Sequence, residues 1–319
     1  MPSTLTIAGS PTPIARVIVG TAAMGSVLPD AWVSKTTREN ELRFLDACFE
    51  MGCTAFDTAA IYQAGGTERL LGAWFASRQH RERVFLITKG AHPNPVLGTS
   101  HFSAADVEKD LHASLRRLGT DYVDLYLLHR DDPSRPFEPV LEALARFQRE
   151  GKIRAYGVSN WRTERIRAAQ QYAAGHGLPS IAASSPHFSL FEWTRPPWPG
   201  TVTLTGAANA EARAWHARTQ LPVLAWSPLG HGFLADPPSA HGRKYYGTAE
   251  NEGRKARARE LAKQKGVTTG DIALAYLFHQ PFPVAAVVAS SKPERMKRNL
   301  AAAELSLSPG EIAFLEGTR

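Results

Sequence analysis

Eight short runs of apolar and β-branched residues, each followed by a longer amphipathic stretch, recur along this 319-residue chain. The runs are RVIVG (16–20), TAFDTA (54–59), VFLITK (84–89), DLYLLH (124–129), AYGVSN (155–160), IAASS (181–185), VLAWS (223–227) and VAAVVAS (284–290). Several lack polar/apolar alternation, as strands covered on both faces do. Helical windows fall at 39–50, 67–77, 103–118, 137–148, 163–173, 209–218, 255–265 and 269–279, with further starts near Pro293 and after Ser308. In the third window Ser103 and Asp106 have capping-box spacing, and Val107, Leu111, Leu115 and Leu118 form a stripe. Eight strand–helix units close most naturally as a (β/α)8 TIM barrel, one domain over residues 1–319. The competing doubly wound sheet usually has fewer strands and a glycine-rich first turn. Before Arg16, the turn signal GSPTP predicts an N-terminal β-hairpin plugging the barrel bottom.

Three connections, 91–102, 187–205 and 230–252, are too long for plain βα loops and are expected at the C-terminal face, where such loops are usually functional. The second carries Phe188, Phe191, Trp193 and Trp198 beside RPPWPG. Its rings either pack down as a rigid surface loop or form an apolar wall for a substrate; the wall is the expectation here.

Composition narrows the partners. Lys plus Arg number 37 against 30 Asp plus Glu, a balance of +7 that suits phosphorylated ligands in general. The basic residues are scattered, and no zinc-finger, helix-turn-helix or RNA-binding aromatic pattern is present, so no nucleic acid is expected. No apolar run approaches the ~18 residues of a membrane span. Cys48 and Cys53 are too few for a disulfide framework. The opening residues lack the basic and apolar blocks of a signal peptide, so a cytoplasmic location is expected. Oligomeric state is not legible.

The polar residues closing the strands are Asp57, Lys89, His129, Ser159 with Asn160, Ser185, Ser227 and Ser290, with Tyr62 in the loop above Asp57. In a barrel these meet at the catalytic face. A poorly solvated Asp and Lys on adjacent strands should pair. The ammonium should lower the pKa of a nearby tyrosine from about 10. A neighbouring His can hydrogen-bond an oxygen that is being protonated. Together the four suit a carbonyl becoming an alkoxide.

These residues carry a specific likeness. FDTAAIY (56–62), GGTERLLG (65–72), VFLITK and DLYLLHR (124–130) resemble motifs of the aldo-keto reductase superfamily, and the likeness extends from about Val17 to Leu307. The resemblance implies Tyr62 as general acid, Lys89 as its pKa-lowering partner, Asp57 as the anchor of Lys89, and His129 as orienter of the carbonyl. It also implies a nicotinamide cofactor, NADPH in preference to NADH. GVSN (157–160) is similar to the segment whose Ser159 and Asn160 would hold the carboxamide. LAWSPLGHG (224–232) is similar to the segment in which Trp226, where the family commonly has Tyr, would stack on the ring. Ser227, Leu229 and Gly232 would flank the pyrophosphate. In SSKPERMKRNL (290–300), Ser290, Lys292 and Arg295 would meet the 2′-phosphate and Asn299 the adenine, although Ala289 stands where many relatives carry Lys. Ser185 replaces a usual Gln at the end of the sixth barrel strand. Gly20, Thr21 and Asp57 complete the implied cofactor contacts.

GHGFLA (230–235) also matches a dinucleotide fingerprint, but Pro237 and Pro238 forbid the helix that fingerprint requires. No metal motif, GxSxG or phosphate-binding P-loop occurs. The expected activity is NADPH-dependent reduction of an aldehyde or ketone. A sugar or alcohol dehydrogenase on the same site, or a cofactor-binding regulatory subunit with little turnover, are the alternatives.

Overall fold

A computed structural model describes residues 4–28 and 32–318. Strands β1 (Thr4–Leu5) and β2 (Ile14–Ala15) form an antiparallel hairpin, as the turn signal predicts. The barrel strands are β3 (Val17–Gly20), β4 (Ala55–Asp57), β5 (Phe85–Gly90), β6 (Val123–Leu128), β7 (Ile153–Ser159), β8 (Ser184–Ser185), β9 (Val223–Trp226) and β10 (Val284–Val288). All neighbours pair in parallel, and β10 closes on β3. The (β/α)8 barrel is therefore the observed architecture. Leu5, Ile7 and Ile14 of the hairpin segment pack against Ile18, Ala55, Phe85, Leu125 and Ala285 of the barrel strands, sealing the bottom with apolar surface.

Helices α1 (Lys35–Glu50), α2 (Gly66–Arg78), α3 (Ala104–Leu118), α4 (Glu138–Arg149), α5 (Thr163–Gly175), α6 (Ala210–Thr219), α7 (Ala240–Tyr246), α8 (Ala249–Lys265), α9 (Thr269–Phe278), α10 (Pro293–Ala301) and α11 (Pro309–Glu316) complete the chain. Around the barrel, a second and larger apolar cluster joins the outward strand faces to these helices. The capping boxes read from Ser103/Asp106 and Ser308/Glu311 both form. In α3, Val107, Leu111 and Leu118 are fully buried and Leu115 packs at the margin.

Two expectations need correction. The regular part of the sixth barrel strand is two residues long, not five: Ala182 and Ala183 have low strand propensity, although the Ala182 amide still donates to the Tyr156 carbonyl and the Ala183 carbonyl accepts from the Val158 amide. The third long connection is no open loop, because it holds α7 and the start of α8. Their N-caps, Ser239 and Thr248, accept from the Gly242 and Asn251 amides.

The segment above β4 shows how sequence aims a side chain. After Tyr62 the backbone runs left-handed through Gln63, Ala64 and Gly65 (φ 49°, 50° and 83°). At Gly66 any Cβ would overlap the Ser26 carbonyl, so the double glycine is dictated by close packing. Behind it Glu68, fully buried, accepts from Thr88 Oγ1 at 2.6 Å and from Arg117 Nε at 2.7 Å. That network fastens α2 to β5 and α3, fixing the Tyr62 segment over the strand that carries Lys89.

Candidate active site

The side chains read from the strand ends meet at one place. Lys89 Nζ donates to Asp57 Oδ1 at 2.6 Å, to the Thr58 carbonyl at 2.9 Å and to Tyr62 Oη at 3.3 Å. The His129 ring stands edge-on to Tyr62, centroids 5.7 Å apart at 84°. Asp57 and Lys89 are almost wholly buried, and Tyr62 is half-buried.

Several site residues lie one step beyond their strands rather than at the last position. His129, Asn160 and Ser227 follow β6, β7 and β9. Asn160 and Ser227 adopt positive φ (61° and 52°), which turns the chain at the ends of β7 and β9, while the Asn160 amide still donates to the Ser185 carbonyl at 3.2 Å. His129 still donates its amide to the Gly90 carbonyl at 2.7 Å, so its ring is fixed from β5.

Electrostatics sort the four groups. Burial pushes the Lys89 pKa down, but Asp57 and Tyr62 outweigh it, and the net direction is up; Lys89 is an ammonium at neutral pH. Burial pushes the Asp57 carboxyl up, with Lys89 pulling it back. Burial, reinforced by the Lys89 and Arg130 charges, holds His129 well below the ordinary histidine range, so it is neutral. Its Nδ1 is buried with no hydrogen-bond partner. For Tyr62 the pull expected from Lys89 is present but does not set the net direction. Lys89 does pull the phenol down, but burial, with Asp57 adding to it, exceeds that pull and the net shift is upward. Tyr62 therefore keeps its proton at neutral pH.

The residues read as cofactor contacts line the rest of the mouth. Ser159 Oγ donates to the Ser185 carbonyl at 2.8 Å and accepts from Asn160 Nδ2 at 2.9 Å. Asn160 Oδ1 accepts from Trp226 Nε1 at 3.2 Å. Ser185 Oγ donates to the Leu224 carbonyl at 2.9 Å, which leaves only acceptor capacity where a Gln would offer both. Thr21 Oγ1 donates to the Asp57 carbonyl at 2.8 Å, and a Cβ on Gly20 would stand 3.0 Å from Val287 Cγ1. Ser227 Oγ lies 2.7 Å from His231 Nε2, and Gly232 (φ 82°) leaves room for Ser239, the cap of α7. Leu229 is half-buried beside them. Farther along the rim, Ser290 bonds the backbone of Lys292, Lys292 and Arg295 are exposed, and Asn299 is buried beside Met296.

The aromatic loop divides. Phe188 and Phe191 are buried core residues, which corrects their expected place in a substrate wall. Trp193 and the exposed Trp198 do approach Trp226, at 5.8 and 5.9 Å between centroids. Four residues were missed in the sequence. His187 stacks on Trp193 at 4.3 Å and meets Thr203 Oγ1 at 2.7 Å and the Tyr246 hydroxyl at 3.1 Å. His92 stands 4.9 Å from His129, and His231 and Arg130 complete the rim. Arg130 directly follows a motif histidine, the one signal that could have found it.

The Aldo/keto reductase family model matches residues 16–318. The chain belongs to this family. It is 30% identical to methylglyoxal reductase YeaE of Escherichia coli, over 88% of this chain and 84% of that protein. It is 28% identical to norsolorinic acid reductase stcV of Emericella nidulans, over 96% of this chain and 80% of that one. A solved aldo-keto reductase from Klebsiella pneumoniae, in complex with NADPH, superposes with TM-score 0.76 at 27% identity, covering all of this chain and 95% of that one. Membership makes this family member an oxidoreductase by class. Among its described residues, no helix is long and apolar enough to cross a membrane.

The ion pair makes a stability prediction. Asp57→Asn strands a buried ammonium, a loss of about 3–5 kcal/mol at pH 7. With the carboxylate gone, burial, the largest influence on Lys89, is opposed only by Tyr62 and drives the folded pKa below the unfolded one. The deficit should then shrink as pH rises toward 10, measured by urea unfolding at both pH values. An equal deficit at the two would show that charge is not what holds the pair.

Proposed function

We propose that the protein reduces an aldehyde or ketone to the alcohol with NADPH, and that Tyr62 delivers the proton. The observation carrying this reading is a protonated phenol 3.3 Å from a buried ammonium, itself held by a carboxylate at 2.6 Å. A carbonyl oxygen above Tyr62 would meet a donor on one side and the neutral His129 on the other. Charge developing on that oxygen is stabilised by Lys89 through the phenol, in a site where water is scarce.

The residues present suit the cofactor. Exposed Lys292 and Arg295 make no ion pair among the described residues, which favours a phosphate at the start of α10. Gly232 clears a turn where the pyrophosphate would run, beside Ser227 and Leu229. Trp226, half-buried, offers an indole to the nicotinamide. Ser159, Asn160 and Ser185 would hold its carboxamide, Gly20 and Thr21 its floor, Ser290 the 2′-phosphate and Asn299 the adenine. Bound NADPH supplies the hydride; the protein's share is alignment and the field around the oxygen.

A neutral His129 carries no imidazolium proton at pH 7, which supports Tyr62 as the proton source.

A cofactor-coupled screen of aldehydes, ketones and sugars in both directions, with NADPH and NADH, tests the activity. Tyr62→Phe should abolish reduction and leave NADPH affinity, followed by fluorescence, nearly intact; retained turnover removes Tyr62 as the acid. NADPH binding with no turnover of any carbonyl would point to a regulatory barrel instead. Arg295→Ala should weaken NADPH by about 10-fold or more, the scale of one charge-assisted hydrogen bond, and NADH far less. Equal losses would show that Arg295 does not read the 2′-phosphate.

A further inference from the structure

Arg130 holds a fixed positive charge at the barrel mouth without a counter-ion. It directly follows His129, and its Nη1 donates to the His129 carbonyl at 3.0 Å. That uses one of five guanidinium N–H groups. The side chain is half-buried, and the 187–205 loop passes over it: a Cβ on Gly200 would lie 3.7 Å from Arg130 Cδ. Among the described residues no carboxylate lies within 4.0 Å of it.

Other partly buried arginines show the contrast. Arg165 bonds Asp131 at 2.9 Å together with two backbone carbonyls. Arg117 is spent on Glu68, and Arg81 on Asp124 and the carbonyls of Val84 and Tyr122. Arg16, which lacks a carboxylate, uses both its Nε and Nη2 on the carbonyls of Val284 and Phe278. Asp131, the next residue in the chain, is already taken by Arg165, and the Asp57 of the site by Lys89.

Through the His129 backbone Arg130 adjoins the ring that stands edge-on to Tyr62, so it lies beside the reacting groups, and its charge bears on Tyr62, His129 and His92. A planar guanidinium with free, forked donors matches a carboxylate two bonds at a time.

We propose that Arg130 anchors a carboxylate carried by the substrate, so that the preferred carbonyl compound is an aldehyde or keto acid and not a neutral one. This rests on the reductase reading above. The carboxylate replaces the missing counter-ion, and its attachment to the far end of the substrate turns the carbonyl toward Tyr62 and His129. A phosphate ester would satisfy the same charge but not the planar fork, so it is an arm of the test.

The test compares 4-carboxybenzaldehyde with its neutral amide, 4-carbamoylbenzaldehyde, and with glyceraldehyde 3-phosphate, as kcat/KM with NADPH. The wild type should favour the acid over the amide, chiefly through KM. Arg130→Met should lower the acid-to-amide ratio by about 10- to 100-fold, the scale of a charged hydrogen-bonded contact. Arg130→Lys should restore part of it. Reduction of the amide with no preference for the acid, or an equal loss on both in Arg130→Met, overturns the proposal while leaving the reductase reading intact. Preference for the phosphate over the acid overturns the carboxylate assignment. If no aldehyde turns over, the reductase reading fails. Tryptophan fluorescence titration with benzoate and benzamide then decides Arg130 alone. Benzoate weakened more than benzamide in Arg130→Met supports an anion anchor; equal affinities overturn it.

Discussion

The Lys89–Asp57 pair is the constraint around which the barrel mouth is arranged. Two opposite charges, almost wholly out of water, cost several kcal/mol each unless they meet at short range with their remaining valences filled. The 2.6 Å contact and the Thr58 carbonyl meet most of that requirement. The ammonium's third donor then points at Tyr62, so the geometry that makes the pair tolerable also aims it at the phenol. Strand register enforces this: Asp57 on β4 pairs with Ile87, two residues before Lys89 on β5. The Glu68–Arg117–Thr88 network behind them fixes the segment that carries Tyr62.

Local charge alone gives the wrong sign for the tyrosine. A cation beside a phenol lowers its pKa, and the sequence makes that neighbour visible. Burial depth is not visible in sequence, and here burial outweighs the cation. The outcome is a phenol that stays protonated but is backed by positive charge, which suits giving a proton to an oxygen as that oxygen becomes anionic. His129 follows the same logic in the opposite direction, since burial and two cations deny it a charge.

Much of this was legible beforehand. Apolar runs alternating with amphipathic stretches pointed to the barrel order, and the capping residues Ser103 and Ser308 marked helix starts correctly. Asp57, Tyr62, Lys89 and His129 could be gathered because a barrel brings strand ends together regardless of their separation in the chain. What sequence left out depends on packing between distant loops. Phe188 and Trp198 sit in one aromatic stretch, but only folding decides that the first is core and the second is exposed. Asn160 and Ser227 read as strand residues because neither is a glycine to announce a left-handed turn. Nothing in the sequence tells whether Arg130 has a carboxylate partner; only folding shows that none lies beside it among the described residues.

The central claim is that a phenol, electrostatically backed by Lys89, is the acid that limits carbonyl reduction. The most direct measurement is the pH dependence of kcat/KM for reduction from pH 5 to 11, in the wild type and in Lys89→Met. The account predicts no ionisation through neutrality and a single loss of rate on the alkaline side of the ordinary phenol value. In the slower Lys89→Met that loss moves to still higher pH. An ionisation near the ordinary histidine value, unmoved by Lys89→Met, would contradict it and assign the proton to an imidazole.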